Sequence, residues 1–139
     1  MNQLKNFWES LKKEEIAVLA TSGNDKVTMR TVSPVYHEDA VLIFTDPLSQ
    51  KYRQLKENPN CCLSVCGCFM EAKAEFLGHT MLNENAALRK VYTGKHHDAF
   101  DENVEFGGTN AEFILLKPVC IKGWVFENGI PTVPFECNF

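Results

Sequence analysis

No apolar run in this sequence approaches the roughly 20 residues that a membrane-spanning helix needs, which excludes a helical membrane protein. The opening residues Met1-Asn2-Gln3-Leu4-Lys5 lack the apolar core of a secretory signal, so a cytoplasmic location is expected. A basic surplus is missing as well. The net charge is -4, which argues against nucleic-acid binding through a positive surface. There is no internal repeat and no low-complexity segment, and 139 residues suit one domain, 1–139, with a genuine core. No Ser-His-Asp or Cys-His arrangement can be defended from spacing, and Gly107-Gly108 lacks the strand–glycine–helix setting of a nucleotide fingerprint.

Cysteine is present six times, but not in the pattern that binds zinc. Zinc favours paired Cys-x-x-Cys knuckles, and the run Cys61-Cys62-Leu63-Ser64-Val65-Cys66-Gly67-Cys68 offers only Cys-x-Cys, so no metal is assigned. With no export signal, a disulfide framework is also not expected. If that run is one strand, alternation places Cys62, Cys66 and Cys68 on one face and Cys61 on the other. All four then read as small apolar residues of a buried strand, and Cys120 and Cys137 read the same way.

Leu4, Phe7, Trp8 and Leu11 recur at helical spacing and indicate an amphipathic helix over about 3–13. Ile16–Thr21 reads as a strand, Ser22–Asp25 as a turn, and Val27–Tyr36 as the return strand, with Pro34 marking an edge or a bulge. After a turn at His37–Asp39, Ala40–Thr45 is a third strand. A helix over 49–58 follows and stops at Asn58-Pro59. Cys61–Gly67 and Glu71–Leu82 are further strands, and 83–92 is helical with Asn83 as a cap. The stretch 96–108 is polar and irregular. Phe113–Leu116 and Cys120–Phe126 close the series as two strands separated by Lys117-Pro118. About seven short strands with helices attached fit a mainly β protein built as a small antiparallel barrel.

One segment combines groups that an anion needs. In Ile43-Phe44-Thr45-Asp46-Pro47-Leu48-Ser49-Gln50-Lys51-Tyr52-Arg53-Gln54-Leu55, a strand ends in a turn and opens a helix. Ser49 is the cap and Lys51 sits in the first turn, so a hydroxyl, free N–H groups and an ammonium converge there. Arg30, on the preceding strand, must meet an acid or a ligand phosphate if it is not in solvent. Trp124, beside Gly123, could flank a planar ligand or serve as a core residue. His96-His97-Asp98 reads as a solvated loop, Glu71 and Glu75 as an exposed sheet face, and His79 as structural.

Arg30-Thr31-Val32-Ser33-Pro34-Val35, Phe44-Thr45, Ser49-Gln50-Lys51 and Gln54-Leu55-x-x-Asn58-Pro59, in this order, resemble the pyridoxamine 5'-phosphate oxidase-like family. The resemblance covers about Glu15–Thr80 well and the last strands more loosely. It implies the FMN-binding split β-barrel, a homodimer with flavin at the subunit interface, and a small-molecule substrate. Carried onto this sequence, it implies that Arg30 and Lys51 bind the FMN phosphate with help from Ser49. Thr31 and Val32 would line the isoalloxazine with backbone groups, and Phe44 and Thr45 would lie against the ribityl chain or ring. With Gln50 and Trp124 these form the cofactor-binding set. Two departures stand out. Gln50 replaces the Arg of the Ser-Arg-Lys expected in the true oxidases, and the tail Pro131–Cys137 is apolar and acidic rather than basic. The resemblance implies an FMN-dependent oxidoreductase of unknown substrate, and the two departures argue against the vitamin oxidase itself. Its alternatives are a flavin- or haem-binding carrier or stress-response protein, and a deazaflavin reductase of the same fold.

Overall fold

Four two-residue turns set the register of the sheet. Asn24-Asp25, Glu38-Asp39, Cys66-Gly67 and Asn128-Gly129 all take positive φ at both residues, at 51°/59°, 48°/58°, 49°/75° and 53°/78°. Such turns match the right-handed twist of the flanking strands, and Asn, Asp and Gly tolerate them best. The computed structural model describes residues 3–100 and 110–139. The chain runs α1 (Gln3–Lys13), β1 (Ala17–Gly23), β2 (Lys26–Val32), β3 (Val35–His37), β4 (Ala40–Thr45), α2 (Gln50–Glu57), β5 (Asn60–Val65) and β6 (Cys68–His79). A 3-10 turn at Asn83–Asn85 leads into α3 (Ala86–Thr93), and β7 (Glu112–Glu127) and β8 (Ile130–Asn138) complete it.

All strand pairings are antiparallel, in the order β2-β1-β5-β6-β7-β4-β3. The 16 residues of β7 organise the barrel. One edge pairs with β6 from Glu112 to Gly123. The other edge is divided, with β4 on residues 112–116 and β8 on 120–127. That division makes this a split antiparallel barrel. Alternation then sorts β4 and β7 into two faces. Val41, Ile43, Ile114 and Leu116 point into the main core with Leu19, Leu63, Met70, Phe7 and Leu11. Leu42 and Phe113 point outward into a second cluster under α3 with Tyr92 and Ala99. Each fully buried large side chain contributes about 1.5–3 kcal/mol of transfer free energy.

Several sequence expectations are corrected here. The return strand over Val27–Tyr36 is two strands, because Pro34 has no N–H to give a ladder. At the break, Tyr92 Oη donates to Ser33 O at 2.8 Å, and Lys95 Nζ donates to Pro34 O at 2.7 Å and Leu11 O at 2.9 Å. The cysteine run is not one strand. Cys66 is exposed in the β5–β6 turn and Cys68 already belongs to β6, so the three thiols share no strand face. Lys117-Pro118 does not end a strand, since the ladder slips past it by a bulge opposite Glu71/Ala72. The tail forms β8, announced by Asn128-Gly129. Asn83 caps nothing, and Asn85 instead donates to Leu77 O at 3.0 Å and His79 O at 2.8 Å. The irregular stretch is seen as turns up to Phe100, while Gly107-Gly108 lies outside the described residues.

Candidate functional site

β4 and α2 meet at a turn that the local sequence specifies. Asp46 Oδ1 accepts from Leu48 N at 2.8 Å, and Asp46 O accepts from Ser49 N at 2.9 Å. Ser49 then caps α2 in extended geometry (φ -70°, ψ 153°), its Oγ accepting from Tyr52 N at 3.3 Å. Thr45 Oγ1 lies 3.0 Å from the same Oγ. Arg53 N is taken by Ser49 O at 3.2 Å, so the N–H groups of Gln50 and Lys51 are the ones left without a helical partner. Leu55 anchors the helix in the core, and Asn58 Nδ2 ties its C-terminal end to Ser22 Oγ at 2.9 Å.

Arg30 reaches this helix from β2. It pairs with Leu19, so its side chain leaves from the core-facing side of the strand and is half-buried. Its Nη1 donates to Leu19 O at 3.2 Å and to Thr21 Oγ1 at 2.7 Å, and its Nη2 donates to Thr28 Oγ1 at 2.5 Å. A guanidinium has five N–H donors. Two of Arg30's therefore have no partner among the described residues. Burial lowers the Arg30 pKa. Lys51 is lowered too, by burial first and then by the positive charge of Arg30, with Asp46 acting weakly the other way. Among the described residues no carboxylate lies within ion-pairing distance of either cation. Two neighbouring cations, both penalised for their charge and neither neutralised, are chemically suited to an anion.

The other sequence candidates divide. Ser49, Thr45 and Lys51 gather at the α2 start, and Gln50 beside them is exposed. Thr31 is exposed on β2, whereas the Val32 side chain is buried in the main core and leaves only its backbone for a ligand. Phe44 projects to the opposite face from Thr45, with its ring 4.8 Å from Tyr92 and 5.4 Å from Phe100. Trp124 is half exposed, beside Phe69, Pro134 and Phe135. It stands twelve residues along β7 from Glu112, whose Oε1 accepts from Tyr52 Oη of α2 at 3.0 Å. That strand path is about 40 Å.

Three residues without an assigned role lie behind the cations. Thr21 Oγ1 and Thr28 Oγ1 each donate to Gln54 Oε1 at 2.6 Å, and Gln54 Nε2 contacts Lys26 O at 3.4 Å. The signal for them was the two-residue turn. Centring the hairpin on Asn24-Asp25 alone pairs Thr21 with Thr28 and places both beside Arg30.

Fold and site together define a split-barrel protein with a two-cation cradle at a helix start. The family model described as pyridoxamine 5'-phosphate oxidase matches residues 3–119, and the chain belongs to this family. No curated protein matches it. Among solved structures it is similar to an FAD-binding protein from Mesorhizobium loti at 15% identity and TM-score 0.66, covering 87% of this chain and 92% of that one. General Stress Protein 26 from Bacillus anthracis is similar at 17% identity and TM-score 0.64, again over 87% and 92%. A haem-binding protein from Mycobacterium smegmatis matches 98% of this chain but 56% of its own length, at 13% identity and TM-score 0.71.

Proposed function

We propose that this chain is a single split-barrel unit that binds FMN as part of a homodimer and acts as an oxidoreductase on a small molecule. The observation that carries this reading is the half-buried pair Arg30 and Lys51, with no carboxylate within ion-pairing distance and two guanidinium donors open among the described residues. A phosphate monoester near pH 7 carries about -1.5 to -2 charges and takes bidentate arginine contacts, so the pair fits its charge and shape. The Gln50 and Lys51 amides and the helix dipole add to the same end. β2 is the terminal strand of the path, so along its outer edge alternate backbone groups near Thr31 and Val32 have no strand partner among the described residues, which supports their use by a flavin ring. The bound flavin supplies hydride or electron transfer, and the chain supplies binding, orientation and shielding.

The outer face of β2 supports the dimer. Val27 is 73% and Met29 70% exposed, and Val27 lines a groove of about 420 Å³ with Val119, Ala20 and Cys62, edged by Asn60, Glu71 and Lys73. Exposed apolar residues edged by polar ones favour a second copy of the chain. Trp124 lies three residues from Ile121, which the ladders place four strands across from Arg30, roughly 20 Å away, so it stands apart from the phosphate end of the site. Purified protein should be yellow and release a ligand with the mass of FMN, and NAD(P)H should reduce the bound flavin in the steady state. A colourless protein that takes up no added FMN would sink this reading. A Soret band in its place would assign the haem-carrying alternative raised by the mycobacterial structure, and bound flavin without turnover would assign a carrier.

A further inference from the structure

The Arg30 guanidinium is held by hydroxyls, and those hydroxyls are held by one amide. Thr21 is buried, Thr28 is half-buried, and their Oγ1 atoms lie 3.5 Å apart. Each accepts a hydrogen bond from Arg30. Having accepted from a donor-only guanidinium, each hydroxyl must send its own proton elsewhere. Gln54 Oε1 receives both, at 2.6 Å each. The opposite amide orientation would set an NH2 group against two hydroxyls already accepting from Arg30, and would lose the contact from Nε2 to Lys26 O. The chain of bonds therefore runs one way, from guanidinium through hydroxyl to carbonyl oxygen, and each link polarises the next. Gln54 is also buried at 7% exposure and sits three residues after Lys51 on the same helix.

We propose that Gln54 is a positioning residue for the anion cradle: through Thr21 and Thr28 it fixes the plane of Arg30 relative to Lys51, so that two guanidinium donors stay open for a phosphate group. This rests on the FMN reading for the identity of the ligand, but not for the geometry. Without the amide, Thr21 and Thr28 lose their common acceptor, and Arg30 is free to rotate and to spend its open donors on water or on backbone.

The test has two arms. In the ligand-free protein, the side-chain NMR signals of Arg30 should show slow guanidinium rotation in wild type and fast rotation in Gln54→Leu. In titrations, Gln54→Leu should weaken FMN by about tenfold or more while riboflavin, which lacks the phosphate, changes less than about threefold. Thr28→Val should follow Gln54→Leu, and Thr28→Ser, which keeps the hydroxyl, should restore the wild-type rotation and the wild-type FMN preference. Thr28 is the less buried position, so this pair carries the test if Gln54→Leu does not fold. Unchanged Arg30 rotation, or equal weakening of FMN and riboflavin, overturns the proposal. If wild type binds neither flavin, the FMN reading fails by itself. The positioning role is then decided by the rotation arm and by inorganic phosphate, whose binding should weaken in Gln54→Leu.

Discussion

Replacing Lys51 by Met should move two observables in opposite directions. Met keeps the unbranched stem and a helix propensity close to that of Lys, so the apolar cover along the side chain survives while the charge is lost. In the ligand-free protein the ammonium is disfavoured by burial and by Arg30, and among the described residues no carboxylate within ion-pairing distance compensates it. Its removal should leave stability unchanged or raise it by about 0.5 kcal/mol, a small effect because solvent screens a half-exposed charge. With FMN the sign reverses. Losing one charge-assisted contact to phosphate should cost about 1–3 kcal/mol, or roughly 5- to 150-fold in affinity. Urea unfolding of the ligand-free protein reads the first quantity, and quenching of flavin fluorescence on titration reads the second. Riboflavin affinity should change little. If Lys51→Met instead destabilises the ligand-free protein by more than about 1 kcal/mol, the lysine is a structural partner. If FMN affinity is unchanged, the phosphate lies elsewhere.

The pH profile of FMN binding should be bell-shaped. Below about pH 6 the phosphate gains a proton, and above the lowered pKa of Lys51 the ammonium loses one, so affinity falls on both sides and Lys51→Met lacks the alkaline limb. For folding the sign is opposite: the unfolded chain holds the Lys51 proton to higher pH, so ligand-free stability should rise with pH across that window. Gly123→Ala should destabilise by about 1–3 kcal/mol in urea unfolding, because a Cβ there meets Phe135 Cε1 at 3.1 Å and the Cys68 backbone Cα at 3.3 Å. Gly23→Ala should cost far less, since its closest contact, at 2.8 Å, is the mobile end of Glu57. Native alkylation at pH 8 should modify exposed Cys66 first and spare Cys61, whose thiol burial pushes up to about 12, until the protein unfolds.

The fold was most legible where one residue type enforces one geometry. α1 follows from Leu4, Phe7, Trp8 and Leu11, and the end of α2 from Asn58-Pro59. Boundaries failed where a local signal met a long-range ladder. Pro118 breaks no strand because β6 pairs on both sides of a bulge, and only the tertiary ladder reveals this. The opposite holds at Pro34, where two carbonyls are claimed by Tyr92 and Lys95, residues some sixty positions away. β8 could have been read from Asn128-Gly129, a turn whose left-handed φ at both residues is typical of a hairpin.

The candidate site was legible by residue type but not by support. Lys51 and Ser49 are placed by the helix start itself, so a strand, a turn and a cap sufficed to find them. Arg30 is a different case. A charged residue on a strand has two faces open to it, and alternation alone does not choose. The choice follows from the register Leu19↔Arg30, which a two-residue turn centred on Asn24-Asp25 sets. The same register places Thr21 against Thr28 and so creates the acceptor pair that Gln54 joins to α2. A one-residue slip would turn Arg30 to the outer face, send Val27 and Met29 inward and dissolve the cradle. The geometry of this site is therefore written as much in the turn Asn24-Asp25 as in the two cations themselves.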